Sequence, residues 1–299
     1  MLIFNKGRIS EHVYLAFAGF FPGFIITGEK TALVDAGVPP VGPELLEAIG
    51  EHLGDRPLDY ILLTHSHYDH CGAIPFIRRS YPGLQVISSE TAKKVLTKPE
   101  ARLFMENMSK EVEDAVEFRK NHPDADISLN TDALDVDIVV KEGDFVDLGH
   151  GVRLEVFETP GHTRCSISFF LTPDRMLFAG ESMGAYSGED RVLANYLSDY
   201  TAFMESLKKV SPLPAEYLGL PHHGALSGRD NVRRYFELAF IGANEFRDAV
   251  EKMSASGADD KEIIRSLFES YYNGPAAMQP YGAFKVNLKA MIAAVRKAG

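Results

Sequence analysis

Three imidazoles and a carboxylate fall within six residues, His65, His67, Asp69 and His70, inside the stretch Thr64-His65-Ser66-His67-Tyr68-Asp69-His70-Cys71-Gly72. Imidazole is the commonest metal-binding side chain, and nitrogen with carboxylate oxygen suits Zn, Fe or Mn. The stretch follows the apolar run Tyr60-Ile61-Leu62-Leu63 and precedes Ala73-Ile74-Pro75-Phe76-Ile77. That order predicts a buried strand, a turn carrying the cluster, and then a helix. Open α/β architectures place their chemistry at such strand ends.

The rest of the chain extends the pattern. Short β-branched and aromatic runs at Val13–Phe17, Phe24–Thr27 and Thr31–Asp35 read as strands, with Gly19, Pro22, Gly23 and Gly28 marking turns. Pro43–Leu53 reads as a helix and Leu84–Ser88 as a further strand, so the class is α/β. From about residue 89 to 122 the chain reads as a helical insertion, broken at Pro99, followed by a polar loop to Thr131. Strands return at 136–140, 145–148, 152–157, 166–171 and 176–178, then a helix at 199–210 and a last strand at Tyr217–Leu220. Beyond Asn231 the pattern is helical and rich in Phe, Tyr and Met. The expected division is a catalytic domain over 1–228 and a C-terminal helical cap over 229–299.

Three further metal-capable residues arise as the first cluster does, where an apolar run stops at a glycine or proline turn. They are His162 in Thr159-Pro160-Gly161-His162, Glu181 in Ala179-Gly180-Glu181, and His223 in Pro221-His222-His223-Gly224. Two sets can be drawn: His65, His67 and His162 for one metal, and Asp69, His70 and His223 for a second. Glu181 would bridge them, because two adjacent cations repel and a shared carboxylate with a shared hydroxide offsets that. Asp35, at a strand end beside Gly37, either supports a metal-binding histidine or bonds local backbone amides. Cys71 reads as a packed residue rather than a ligand.

The His-x-His-x-Asp-His run at 65–70, with His162, the acid at 181 and His223, resembles the metallo-β-lactamase-fold hydrolases over roughly residues 10 to 225. Within them the motif and the helical tail look closest to the PqsE-like (quinolone signal response protein) thioesterase branch. The resemblance implies an αβ/βα sandwich of two mixed sheets with outer helices, plus a C-terminal helical subdomain closing over the pocket. It implies two divalent metal ions, Zn or Fe with Mn allowed. The family usually has aspartate where this chain has Glu181. Its closing turn is usually Pro-Gly-His-Gly, which laid over residues 221–224 makes His223 the ligand and leaves His222 to face substrate.

The expected function is a dinuclear hydrolase. A metal-bridging hydroxide attacks an ester or thioester carbonyl of a small molecule, and Asp69 orients it or takes its proton. Lactone or β-lactam opening uses the same chemistry, and a regulatory metal-binding module is the remaining alternative. An oxygen- or nitric-oxide-reducing di-iron protein is disfavoured, since such relatives usually carry glutamate where this chain has His67, together with a flavin domain. The balance of 31 basic and 42 acidic residues, −11 overall, argues against nucleic acid as the partner. Two cysteines make no disulfide framework, and no apolar run approaches the ~20 residues of a membrane span. A soluble cytoplasmic protein acting on a small molecule, with a homodimer allowed, is the expectation.

Overall fold

The computed structural model describes residues 1–17, 20–115, 131–188, 191–274, 276 and 279–298. The chain begins with β1 (Leu2–Ile3), which pairs far along the sequence. It continues through β2 (Gly7–Arg8), β3 (Val13–Phe17), β4 (Gly23–Thr27) and β5 (Thr31–Val34), then α1 (Gly42–Leu53) and β6 (Tyr60–Leu62). The metal motif spans the loop after β6 and the single turn α2 (Tyr68–Cys71), and α3 (Ile74–Ser80) and β7 (Gln85–Ser89) come next. Helices α4 (Glu90–Leu96) and α5 (Pro99–Ala115) precede β8 (Ile138–Val140). Pro99 opens α5, where its missing N–H costs nothing. The end of the expected insertion, 116–122, and most of its following loop lie outside the described residues.

The second half runs β9 (Phe145–Asp147), β10 (Arg153–Glu158), β11 (Ile167–Leu171) and β12 (Met176–Phe178). A small hairpin of β13 (Ala185–Tyr186) and β14 (Val192–Leu193) leads to α6 (Tyr200–Val210) and β15 (Tyr217–Gly219). Tyr217–Gly219 is not the last strand. The chain turns back as β16 (Ala225–Ser227), antiparallel to β15, and β1 adds to its outer edge. Ala-Leu-Ser is too short a run to announce a strand by pattern. Helices α7 (Arg229–Ala255), α8 (Asp260–Tyr271) and α9 (Tyr281–Ala298) finish the fold. A reciprocal Asp259–Glu262 capping box starts α8.

Both sheets are mixed. The first has the order β2-β3-β4-β5-β6-β7-β8, antiparallel to β5 and parallel beyond it. The second has the order β1-β16-β15-β12-β11-β10-β9, with only β12 and β15 parallel. Side chains alternate between two apolar layers. Phe24, Ile26, Ala32, Val34 and Leu62 meet Leu154, Val156, Phe169 and Phe178 between the sheets. Ile25, Leu33 and Ile61 point the other way, onto the α1 and α3 side chains Leu45, Ile49 and Ile77. On the second sheet Phe170, Leu177 and Leu218 point outward into a cluster shared with α6, α7 and α9, including Phe203, Phe246 and Met291. Strands buried on both faces read as continuous apolar runs, which is why their positions were visible in the sequence. The result is the expected sandwich: two mixed sheets face to face, helices outside, and strand ends converging along one edge.

Candidate metal centre

Five histidines and two carboxylates meet at that edge. Atoms of His65, His67, His162 and Glu181 lie within 4.8 Å of one another, and so do those of Asp69, His70, Glu181 and His222. Each arrives from a strand end. The loop after β6 supplies His65 and His67, α2 supplies Asp69 and His70, and the turn after β10 supplies His162. A 3-10 turn after β12 supplies Glu181, and the turn between β15 and β16 supplies His222. Gly180 takes φ +50, and a Cβ there would stand 2.6 Å from Thr64 Oγ1. Only glycine lets this turn approach the motif closely enough to bring Glu181 in.

The imidazoles are oriented from behind. His162 Nδ1–H donates to Asn195 O (2.6 Å) and His222 Nδ1–H to Phe20 O (2.8 Å). His70 Nδ1–H donates to Asp35 Oδ2 (2.8 Å). Thr64 Oγ1 donates to Asp35 Oδ2 (2.9 Å), so its own acceptor position is left for His65 Nδ1–H at 3.1 Å. With Nδ1 donating outward, each of these four rings turns its Nε2 into the cluster. The Nε2 atoms of His65, His70 and His222 are buried and have no hydrogen-bond partner among the described residues. His67 is turned the other way, with Nδ1 inward, 3.0 Å from His162 Nε2. Unpaired buried nitrogens are costly. Their convergence with carboxylate oxygens is the donor set of a metal site, so these residues fit divalent metal.

Asp35 thus does both things the sequence left open. It accepts the Thr64 backbone amide at 2.8 Å and it orients two histidines. It is held at a left-handed φ of +54. Asp35→Asn is expected to weaken metal binding 10–100-fold, the usual effect of losing such a supporting group. An amide placed there can present N–H₂ to His70 Nδ1, which would move the His70 proton to Nε2 and point it at the metal. Competition titration with a chromophoric chelator measures this, and wild-type affinity in the variant would refute the role.

Glu181 lies at the centre, 3% exposed. Its Oε2 is 2.8 Å from His162 Nε2, 3.4 Å from His65 Nε2, 3.7 Å from His70 Nε2 and 3.9 Å from His67 Nδ1. Its Oε1 is 3.4 Å from His222 Nε2 and accepts from Asn195 Nδ2 at 2.6 Å. The carboxylate therefore touches both sets despite its extra methylene. Burial by itself would raise its pKa, but the surrounding imidazoles, His162 foremost, hold it well below the ordinary range. Burial lowers His65 and His67, keeping them neutral. Burial also opposes charge on His70, yet the Asp35 and Glu181 carboxylates outweigh it and raise His70 well above its usual value.

The structure brings together His65, His67, Asp69, His70, His162 and Glu181, and it corrects the last member of the second set. His222, not His223, enters the cluster. His223 adopts φ +72, a conformation that favours glycine, and Gly224 follows at φ +107. The glycine-like position of the turn is therefore 223, one place later than the Pro-Gly-His-Gly overlay puts it. The His222 ring stacks on Phe20 at 4.2 Å and its Nε2 points at Glu181. His223 lines an apolar pocket with Tyr186, Tyr271 and Met291, which His222 also borders, and its ring stays out of the cluster. Sequence reasoning also missed Asn195, which holds both Glu181 and His162. Its one signal is a lone amide in Val192-Leu193-Ala194-Asn195-Tyr196-Leu197. Cys71 is fully buried, and burial pushes its thiol up, as a packed residue requires.

The family model of the metallo-beta-lactamase superfamily matches residues 22–222. The metallo-beta-lactamase fold-containing protein ST1585 of Sulfurisphaera tokodaii is 31% identical over 206 residues, 68% of this chain and 73% of that protein. The crystal structure of ST1585, an archaeal superfamily member, aligns over 98% of this chain and 99% of its own, with 24% identity and a TM-score of 0.57. BJP-1, a subclass B3 metallo-beta-lactamase of Bradyrhizobium japonicum, aligns over 86% of this chain and 97% of its own (20% identity, TM-score 0.59). The anaerobic nitric oxide reductase flavorubredoxin of Salmonella arizonae is 24% identical over 76% of this chain, which spans only 45% of that protein. Among the described residues no helix is long and apolar enough to cross a membrane.

Proposed function

This chain belongs to the metallo-beta-lactamase superfamily, and from that premise we propose that it is a dinuclear metal-dependent hydrolase of a small-molecule ester or thioester. The observation that carries this reading is the set of buried Nε2 atoms of His65, His70 and His222, without a hydrogen bond among the described residues, converging on Glu181, which lines a cavity. His65, His67 and His162 would hold one ion, and Asp69, His70 and His222 the other, with Glu181 between. Bound divalent metal supplies a water acidic enough to ionise near neutral pH and an electrophile for the carbonyl.

The chain's own residues supply the rest. Hydrolysis joins a water oxygen to the acyl carbon and breaks the C–S or C–O bond, whose electron pair goes to the leaving atom, which is then protonated. Asp69 lines the cavity beside His67 and is the carboxylate placed to take the proton of the attacking water. Asn195 holds the Glu181 carboxylate in place and so keeps the two sets in register. Phe20, Phe21 and α9 line the cavity with apolar side chains, in the manner of the tail helices of PqsE-like thioesterases. The reductase reading raised by the flavorubredoxins carries less weight, because His67 supplies an imidazole where such proteins usually place glutamate.

The test is hydrolysis of simple acyl thioesters and esters by the protein before and after chelation. Activity is expected to vanish with the metal and to return when Zn, Mn or Fe(II) is restored. Turnover that persists in protein shown by elemental analysis to be metal-free would refute the mechanism.

A further inference from the structure

The cavity over the cluster has two lobes that differ in charge. The first, about 320 Å³, lies against α5 and α9 and is lined by Phe20, Phe21, Met108, Leu197, Ala283 and Val286 among others. Its acidic lining residues, Asp69 and Glu181, both belong to the cluster. The second, about 810 Å³, shares His67, Tyr68, Phe104, His162 and Leu197 with the first. Its walls are largely apolar, with Val95, Ala101 and Met105, but they carry Lys94, Lys98 and Arg164 beside Thr91 and Ser198, and no Asp or Glu among the described residues.

That sorting of charge runs against the chain as a whole, which carries −11. Lys94 sits near the end of α4, Lys98 just past it, and Arg164 two residues after His162 in the turn before β11. Lys94 has one partner, Glu90 at 3.2 Å, an exposed i,i+4 pair of the kind that adds little. Lys98 and Arg164 have no ion pair among the described residues. Three cations on one cleft, with no acid lining it among the described residues, raise the local concentration of an anion. The lobes meet at His67, Tyr68, Phe104, His162 and Leu197, and His67 and His162 belong to the cluster, so a substrate held there can extend into both lobes.

We infer that the substrate is an ester or thioester with an apolar acyl part, seated between Phe20, Phe21 and α9, and an anionic leaving group, seated at Lys94, Lys98 and Arg164. This rests on the hydrolase reading above and adds to it the chemistry of both halves of the substrate. The anionic charge can be phosphate or carboxylate, and both suit ammonium and guanidinium groups.

The experiment uses the full metal-loaded chain and octanoyl thioesters of three thiols: coenzyme A, which carries phosphates, glutathione, which carries carboxylates, and pantetheine, which is neutral. An anionic thioester is expected to exceed the neutral one in kcat/KM by about tenfold or more. The gap is expected to narrow with salt, as the Debye length falls from about 10 Å at 0.1 M to about 3 Å at 1 M. A lead for coenzyme A assigns phosphate, and a lead for glutathione assigns carboxylate. In the exposed triple variant Lys94→Gln, Lys98→Gln, Arg164→Gln the ratio of anionic to neutral kcat/KM is expected to fall towards one, with the change in KM. Acetyl thioesters are expected to show a higher KM than octanoyl ones.

Equal kcat/KM for all three thiols, or a triple variant with the wild-type ratio, overturns the anionic half. Equal KM for acetyl and octanoyl overturns the apolar half. Calorimetric binding of free coenzyme A and glutathione separates this inference from the reading beneath it. Binding that the triple variant loses, without turnover of any thioester, defeats the hydrolase reading and leaves the anion lobe standing. Turnover without discrimination among thiols does the reverse, and neither binding nor turnover defeats both.

Discussion

Replacing His222 by alanine is expected to empty one metal position and abolish hydrolysis, whereas His223→Ala retains both metal and turnover. The two residues are neighbours in one turn and both border one apolar pocket, but only His222 brings a ring nitrogen into the metal cluster. His222 aims Nε2 at Glu181 from 3.4 Å and is braced by the Phe20 carbonyl. Losing a supporting group behind a ligand costs 10–100-fold in affinity or activity, so losing the ligand itself is expected to cost at least that. His223 is pushed down to about 4 by burial and by the adjacent imidazole, so it is neutral at pH 7 and its loss removes no charge. Elemental analysis of the two variants decides the matter. A metal-depleted His223→Ala with an intact His222→Ala would restore the register suggested by the resemblance.

The second large effect is expected at Glu181. Glu181→Gln keeps the shape and removes the charge that offsets repulsion between two cations. It also turns an N–H₂ toward nitrogens that are themselves acceptors. The variant is expected to hold at most one ion and to lose hydrolysis by at least about 10²-fold, the scale of removing one preorganised electrostatic group. The sign of its pH effect follows from the same carboxylate. Its folded pKa lies below the unfolded value, so in metal-free protein its stabilisation is present above the unfolded pKa and lost as pH falls through the folded one. The glutamine variant is expected to lack that part of the acid transition. A doubly loaded, active Glu181→Gln would show that the carboxylate does not hold the pair together.

Much of the site was legible because the chain marks strand ends plainly. His65, His67, Asp69, His70, His162 and Glu181 all follow an apolar run at a turn, and the structure gathers all six. Asp35 could be seen as a candidate partner but not weighed, since its value depends on Thr64 and His70 coming within hydrogen-bond reach. Asn195 could not be found by motif, because it acts through one side-chain nitrogen and one backbone carbonyl. Short strands such as Leu2–Ile3 and Ala225–Ser227 were missed because pairing with distant partners, rather than local pattern, makes them strands.

The amino-acid order alone determined the α/β class, the sandwich reached by resemblance, and a metal motif at the end of a buried strand. Burial on both faces leaves continuous apolar runs, and ligand chemistry restricts which side chains can interrupt them. Only the tertiary structure decided which of two adjacent histidines points inward, because a single positive φ at His223 reverses the choice and nothing in Pro-His-His-Gly encodes that angle. It alone showed that one carboxylate of unusual length reaches both halves of the cluster, and that an acidic chain keeps beside it a lobe carrying three cations and, among the described residues, no acid. Those are properties of side chains converging from distant elements, and separation along the chain does not record distance in space.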